Sequence, residues 1–227
     1  MHTPASVCYS ERSLTPEQMI KAALASGLEL IGITDHNTVA AIDSIRQVGR
    51  EKGLFVFPGV EISTKGGHVI ALFELDTPAD LLGDFLDDIG IAREGWGDAT
   101  TMAVDGIETV FQKIVERGGI ALAAHIDRWP SGFLKTTEPL RVKMNIHSNR
   151  YLSALEITVP ESKGLWNAGQ ARNYPKRYAC IQGSDAHALN EIGRRSVYLR
   201  MEPVNLEALR AAFLDYEMKI MFPDELP

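Results

Sequence analysis

Gly183-Ser184-Asp185-Ala186-His187 closes the strand-like run 177–182 and sets a carboxylate two residues from an imidazole. The arrangement has relatives elsewhere in the chain. Thr34-Asp35-His36-Asn37 follows the run Leu30-Ile31-Gly32-Ile33. Glu61 closes Pro58-Gly59-Val60-Glu61 after Leu54-Phe55-Val56-Phe57, and His125 follows Ile120-Ala121-Leu122-Ala123-Ala124. Four apolar runs therefore end in a side chain able to bind a metal. In a barrel of parallel strands the strand ends converge on one face, and that face carries the chemistry. Asp, Glu and His together form the ligand set of hydrolytic Zn, Mn or Fe centres.

Working outward, the pattern alternates helices with short apolar strands. Thr15-Pro16-Glu17-Gln18 is a helix start, with Thr as N-cap, Pro at the first position and Gln at the capping-box position. That helix is predicted to end near Ser26, with Gly27 as a left-handed terminator. A strand is predicted over 28–34, a helix over 38–52 stopped by Gly53, and strands over 55–63 and 68–74 joined by Lys65-Gly66-Gly67. Helices follow over 78–89 and 106–117, with strands over 120–125 and 152–159. Residues 90–104 and 127–150 show little pattern, and 161–174 reads as a loop or short helix. A last strand is expected over 196–200, and Asn205 caps a helix over 206–218. Strand and helix in alternation imply a parallel sheet with crossover helices.

Composition narrows the class. The 227 residues suffice for one substantial core, and 45% hydrophobic with 23% charged residues fits a globular domain. There is no run of about 18 apolar residues, so no membrane span is expected. With a candidate ligand already at position 2, no signal peptide is expected either. The two cysteines, Cys8 and Cys180, are not closely spaced, which fits reduced thiols in a cytoplasmic protein. A net charge of −7 argues against a broad nucleic-acid surface. A small phosphorylated substrate or a nucleotide end, with no membrane partner, is the expectation.

The segments His2-Thr3-Pro4-Ala5-Ser6, Thr34-Asp35-His36, Pro58-Gly59-Val60-Glu61, Gly67-His68-Val69-Ile70, Ala124-His125 and Gly183-Ser184-Asp185-Ala186-His187 occur in an order that is similar to one family. With them the chain resembles the polymerase and histidinol phosphatase (PHP) superfamily of metal-dependent phosphoesterases. The resemblance departs at the start. The family opens on Asp-Leu-His-x-His-Thr, and Met1-His2-Thr3 matches only the second half. The fold implied is α/β, a distorted (β/α)7 TIM-like barrel of the PHP type without its first strand, as one domain over 1–227.

The resemblance also implies two to three divalent metal ions, Zn, Mn or Fe. His2, Glu61 and Asp185 would hold the first, His36 and His187 the second, and Glu61, His68 and His125 the third. A metal-bridging hydroxide would then attack phosphorus, with no protein nucleophile. Cys8 stands where the family offers an Asp or His. It is either a Zn thiolate ligand or a small buried hydrophobe. Arg128 and Arg194 are candidate phosphate binders through their planar forks, or solvated loop residues. His147 reads as a loop residue, and Trp96 and Trp129 as ordinary loop packing or a wall for a base.

Each ligand has a plain alternative. Asp35 or Asp185 can cap a helix, and a lone His68 can be a satisfied core residue. Two functions remain open: a metal-dependent hydrolase of phosphate esters, or a non-catalytic PHP module with a structural or regulatory role in a larger polymerase- or ATPase-type protein.

Overall fold

The computed structural model describes residues 1–226. Thr15 accepts from the backbone N–H of Gln18, and the Gln18 side chain returns the bond to Thr15, so the predicted capping box starts α1 (Pro16–Ala25). Gly27, at φ +73°, lets the chain leave that helix in a conformation L side chains avoid. Next come β1 (Leu30–Ile33), α2 (Ile42–Lys52), β2 (Phe55–Thr64), β3 (Gly67–Leu72) and α3 (Ala79–Asp88). α4 (Ile107–Glu116), β4 (Ile120–Ala123), α5 (Leu140–Ser148) and β5 (Leu152–Glu156) follow. The chain finishes with α6 (Lys163–Ala168), β6 (Ala179–Ile181), β7 (Tyr198–Leu199), α7 (Leu206–Leu214), α8 (Tyr216–Lys219) and β8 (Ile220–Met221). Among the described residues no helix is long and apolar enough to cross a membrane.

The chain divides into two compact units. The first contains residues 1–63, 71–104 and 183–196. In it β1 and β2 pair in parallel, with Leu30 opposite Phe55 and Ile33 opposite Pro58. The end of β3 lies on the other side of β2. Phe73 N–H donates to Pro58 O, and a Cβ on Gly59 would sit 2.4 Å from Ala71 O, so only glycine permits that approach. Met19, Ile20 and Ala23 of α1 and Ile42, Ile45 and Val48 of α2 are buried. A buried Val, Leu or Ile contributes about 1.5–3 kcal/mol relative to an exposed one. The first strand after the turns of residues 4–13 and α1 is β1. Residues 1–3 run beside it, with Met1 N donating to Gly32 O at 2.9 Å and Thr34 N to Met1 O at 3.0 Å.

The second unit contains residues 64–70, 105–182 and 197–226. Here the start of β3 bonds toward β4 through Ala124 N and His68 O, and β4, β5 and β6 pair in parallel. Ile120, Ala121, Leu122 and Ala123 of β4 are all buried. β7 and β8 pair antiparallel, a departure from the all-parallel expectation. The predicted helix 206–218 breaks at Asp215 into α7 and α8.

Residues 127–150 are not all irregular, because α5 lies within them. His147 is therefore not a loop residue. It is buried in α5 with ring centroids of Tyr174 and Tyr178 each 5.1 Å away and Trp166 at 5.8 Å. Its helix is weakly amphipathic in sequence, and the aromatic partners come from 19 to 31 residues downstream, beyond a local pattern. Burial first, and Lys176 second, push the His147 imidazole down from 6.5 to about 4. Its folded pKa lies below its unfolded one, so the unfolded chain binds more protons between those values. The stability it leaves intact above pH 6.5 is lost progressively as pH falls toward 4. His147→Leu is expected to flatten the dependence of Tm on pH across that window, and a thermal melt series from pH 7 to 4 checks it.

Candidate metal centre

The first unit gathers five candidate ligands: His2, His36, Glu61, Asp185 and His187. β1 and β2 continue as a pair past their regular ladder. Glu61 N donates to Asp35 O at 3.0 Å and Asn37 N to Glu61 O at 2.9 Å, which sets His36 beside Glu61. His2 Nε2 lies 3.0 Å from Asp185 Oδ1 and 3.3 Å from Glu61 Oε2. His36 Nδ1 lies 3.9 Å from Glu61 Oε1. The His2 ring stacks on His36 at 4.4 Å and tilts against His187 at 4.3 Å.

Asp35 holds the His2 segment in place. Buried itself, it accepts from Thr3 N, Thr3 Oγ1 and Ser6 Oγ, each at 2.7 Å. His2 N also donates to Ala186 O at 3.2 Å. A terminal segment frays unless tied down, and this one is tied by side chain and backbone. The plain alternative for Asp35, a helix cap, does not describe this role. Its partners are about 30 residues distant, so no local spacing signals them.

The hydrogen bonds also orient the imidazoles. The Ser6 hydroxyl donates to Asp35 Oδ1, so toward His36 N–H (3.0 Å) and His2 Nδ1 (3.3 Å) its oxygen is the acceptor. With that proton on Nδ1, Nε2 of His2 faces two carboxylates, a place for positive charge that a metal ion or a second ring proton supplies. Separations of 3.0 and 3.3 Å suit neighbouring ligands on one ion at about 2.0–2.2 Å. His187 Nδ1 donates to Asp185 O at 2.9 Å, leaving Nε2 as its acceptor. A ligand histidine whose other nitrogen is bound in this way is fixed in tautomer and ring direction. The donor set thus fits a divalent metal.

Backbone strain concentrates here. Asn37 at φ +49° and Asp185 at φ +45° are non-glycine residues in the left-handed region. Such conformations cost of order 1–3 kcal/mol each and cluster at functional sites. Asn37 is held by its own side chain, which donates to Asp98 O and Thr101 O and accepts from Ser63 N. For Asp185 the holders are Arg194 and Arg195. Arg194 donates to Ser184 O (2.7 Å), Asp185 O (3.3 Å) and Glu191 Oε1 (2.6 Å), and Arg195 to Gly183 O and Ser184 O. Arg194, read from sequence as a phosphate binder, is engaged with the Asp185 loop. Glu191 also accepts from His187 N, and that bond is the main cause holding its carboxyl below the ordinary value.

Cys8 is exposed, so it is not the buried hydrophobe of one sequence reading. Partial desolvation first, then the Glu61 and Asp35 carboxylates, push its thiol up to about 11. A thiolate there would need a cation beside it.

In the second unit His68 and His125 meet edge to face at 5.3 Å. Ala124 N donating to His68 O fixes their strands together. His125 has φ +27° and donates its N–H to the buried Glu156 Oε2 at 2.9 Å, while Ile126 N donates to Glu156 O. Glu156 ends β5 as Glu61 lies near the end of β2, and its strand-end position was the signal that could have found it. Asp127 accepts from Thr158 N and Oγ1 and from Val159 N. Arg128 begins the loop beyond, its N–H on His125 O at 2.8 Å.

No protein-family model matches the chain. An uncharacterized protein of Methanocaldococcus jannaschii is 32% identical over 111 residues, 48% of this chain and 51% of that protein. A 5'-3' exoribonuclease of Haemophilus influenzae is 35% identical over 72 residues, 29% of this chain and 26% of the enzyme. The chain thus spans about half or less of the length of these curated relatives. Among solved structures, the lesion-specific endonuclease Q of Pyrococcus furiosus superposes with a TM-score of 0.74 at 18% identity, over 97% of this chain and 56% of that one. Endonuclease Q in complex with a 27-mer duplex gives 0.70 at 16%, over 93% and 54%. A two-domain Bacteroides vulgatus protein with a PHP-like metal-dependent phosphoesterase part gives 0.65 at 16%, over 98% and 63%.

The fold is therefore the α/β fold that the motif order implied, shared with a structure that contains a PHP-like part. The partner expectation is corrected. A small substrate without a polynucleotide surface does not agree with similar proteins that are an exoribonuclease and an endonuclease bound to duplex. A net charge of −7 is a sum over the whole chain. It does not describe the local field beside bound cations, which can be the largest charges in a site.

Proposed function

We propose that this chain carries a metal-dependent phosphodiesterase site that acts on nucleic acid. One observation carries the reading: His2 Nε2 aimed at two buried carboxylates, Glu61 and Asp185, with His36 and His187 against its ring. The nuclease relatives support the substrate class, and the whole protein's activity is part of the proposal.

His2, Glu61 and Asp185 would hold a Zn, Mn or Fe ion, and His36 and His187 would supply donors for a second. His68 and His125 are a further donor pair in the other unit, which supports the expected two to three ions. When bound, the metal supplies Lewis-acid stabilisation of charge on the phosphoryl oxygens. The chain's own residues do the rest. Glu61 and Asp185 offset cation charge in a buried setting. Asp35, through Ser6, keeps the Nδ1 proton of His2 away from the carboxylates. The His187 side chain is 28% exposed against 1% for His2 and 6% for His36, so substrate arrives on its side. Its Nδ1 bond to Asp185 O keeps Nε2 turned away from the loop. Arg194 and Arg195 brace the loop that carries both Asp185 and His187.

The test uses chelator-stripped protein with 5'-labelled RNA and DNA strands and bis(p-nitrophenyl) phosphate, with Mn, Zn or Fe(II) added back singly. Diester hydrolysis that appears with metal and disappears with chelator is expected. Metal-loaded protein that cleaves no diester, or cleaves monoesters alone, would contradict the proposal.

A further inference from the structure

The three tryptophans are used differently. Trp166 is buried, and Trp96 is half-buried under the Arg93 guanidinium, 5.2 Å from its ring. Trp129 is 78% exposed. It does not lie in a loose segment. Gly132 N donates to Arg128 O at 2.8 Å, Leu134 N to Ile126 O at 3.2 Å, and His68 N to Ser131 O at 2.9 Å. A Cβ on Gly132 would fall 2.3 Å from His125 O, so the loop closes tightly on the strand end. Phe133 is buried against Tyr174 at 6.0 Å and anchors the far side. The loop's backbone therefore grips both His68 and His125 while presenting an indole to solvent four residues past His125. Of the two readings of Trp129, ordinary loop packing or a wall for a base, packing does not describe so exposed a ring.

We propose that Trp129 is a stacking platform for one nucleobase of a single-stranded or frayed polynucleotide, and so a specificity-determining residue. The inference rests on the phosphodiesterase reading above. Three properties favour a base as the occupant. A bare aromatic face binds any base, and stacking is tolerant of sequence. A preformed loop loses little freedom on binding. Arg128, next in sequence, brings a guanidinium suited to phosphate to the same loop.

The test is a cycle of Trp129→Ala and Trp129→Phe against strands carrying a single abasic residue at successive positions, read as kcat/KM with metal. On the intact strand Trp129→Ala is expected to lose at least about fivefold and up to about 150-fold, the range of one stacked base. Trp129→Phe retains most of the rate. At one abasic position wild type suffers a loss that Trp129→Ala does not, a non-additive coupling. A second arm needs no turnover: indole fluorescence of metal-free wild type is quenched by an intact strand, and that of Trp129→Phe is not. Equal kcat/KM for wild type and Trp129→Ala, or additive losses at every abasic position, would overturn the inference. So would identical quenching in wild type and Trp129→Phe, or a change in self-association as the variant's sole effect. If wild type hydrolyses no strand, the phosphodiesterase reading fails, and the fluorescence arm still decides whether Trp129 meets a base.

Discussion

Glu61→Gln is expected to lose about 10³-fold or more of metal-dependent diester hydrolysis while the protein stays folded. The amide keeps shape and hydrogen-bonding capacity and removes one charge. Glu61 Oε2 faces His2 Nε2, and Oε1 faces His36 Nδ1, so a single carboxylate serves two imidazoles from different segments. Removing its charge removes part of what offsets a cation in a buried setting. Lewis-acid stabilisation is worth several kcal/mol in the transition state, and about 1.4 kcal/mol is tenfold in rate. Metal content should fall with the rate, while the far-ultraviolet circular dichroism of the variant should match wild type. A variant with full metal content and full rate would mean that Glu61 is a structural carboxylate.

The second large effect is on stability. Asp35→Ala strips the acceptor from Thr3 N, Thr3 Oγ1 and Ser6 Oγ at a buried position. A buried donor left without a partner costs about 1–3 kcal/mol. With three donors affected and some relaxation of the segment, the loss is expected to be about 3–5 kcal/mol. Denaturant melts measure it directly. Because the same bonds place His2, metal affinity should drop even in the folded fraction, which a Co(II) absorption titration reads. Asp35→Asn retains one acceptor oxygen and should fall between the two. A variant as stable as wild type would show that the Met1–Ser6 turns hold themselves.

These effects divide along a line that also separates what was legible in the sequence. Gly183-Ser184-Asp185-Ala186-His187, Asp35-His36 and Glu61 are visible because strand ends leave a local signature: an apolar run, then a polar residue. The Thr15 to Gln18 box and the left-handed Gly53 are local too, and both stand where expected. The clamp of Asp35 on Thr3 and Ser6, the Arg194 and Arg195 brace and the aromatic surround of His147 are side-chain contacts fixed by tertiary structure. Spacing along the chain does not encode such contacts. The nearest case was Arg194, ten residues after Ser184, whose guanidinium chemistry suits phosphate and backbone carbonyls equally well. Charge misled for a related reason. A chain total of −7 hides where cations would collect.

Anomalous X-ray diffraction from crystals loaded with Mn or Zn and measured at each metal's absorption edge tests the central claim most directly. An anomalous peak within coordination distance of His2 Nε2, Glu61 and Asp185 Oδ1 is the expected result, and it should vanish in Glu61→Gln crystals treated alike. Loaded crystals whose peaks lie only on exposed side chains, with none at His2, Glu61 and Asp185, would contradict the account.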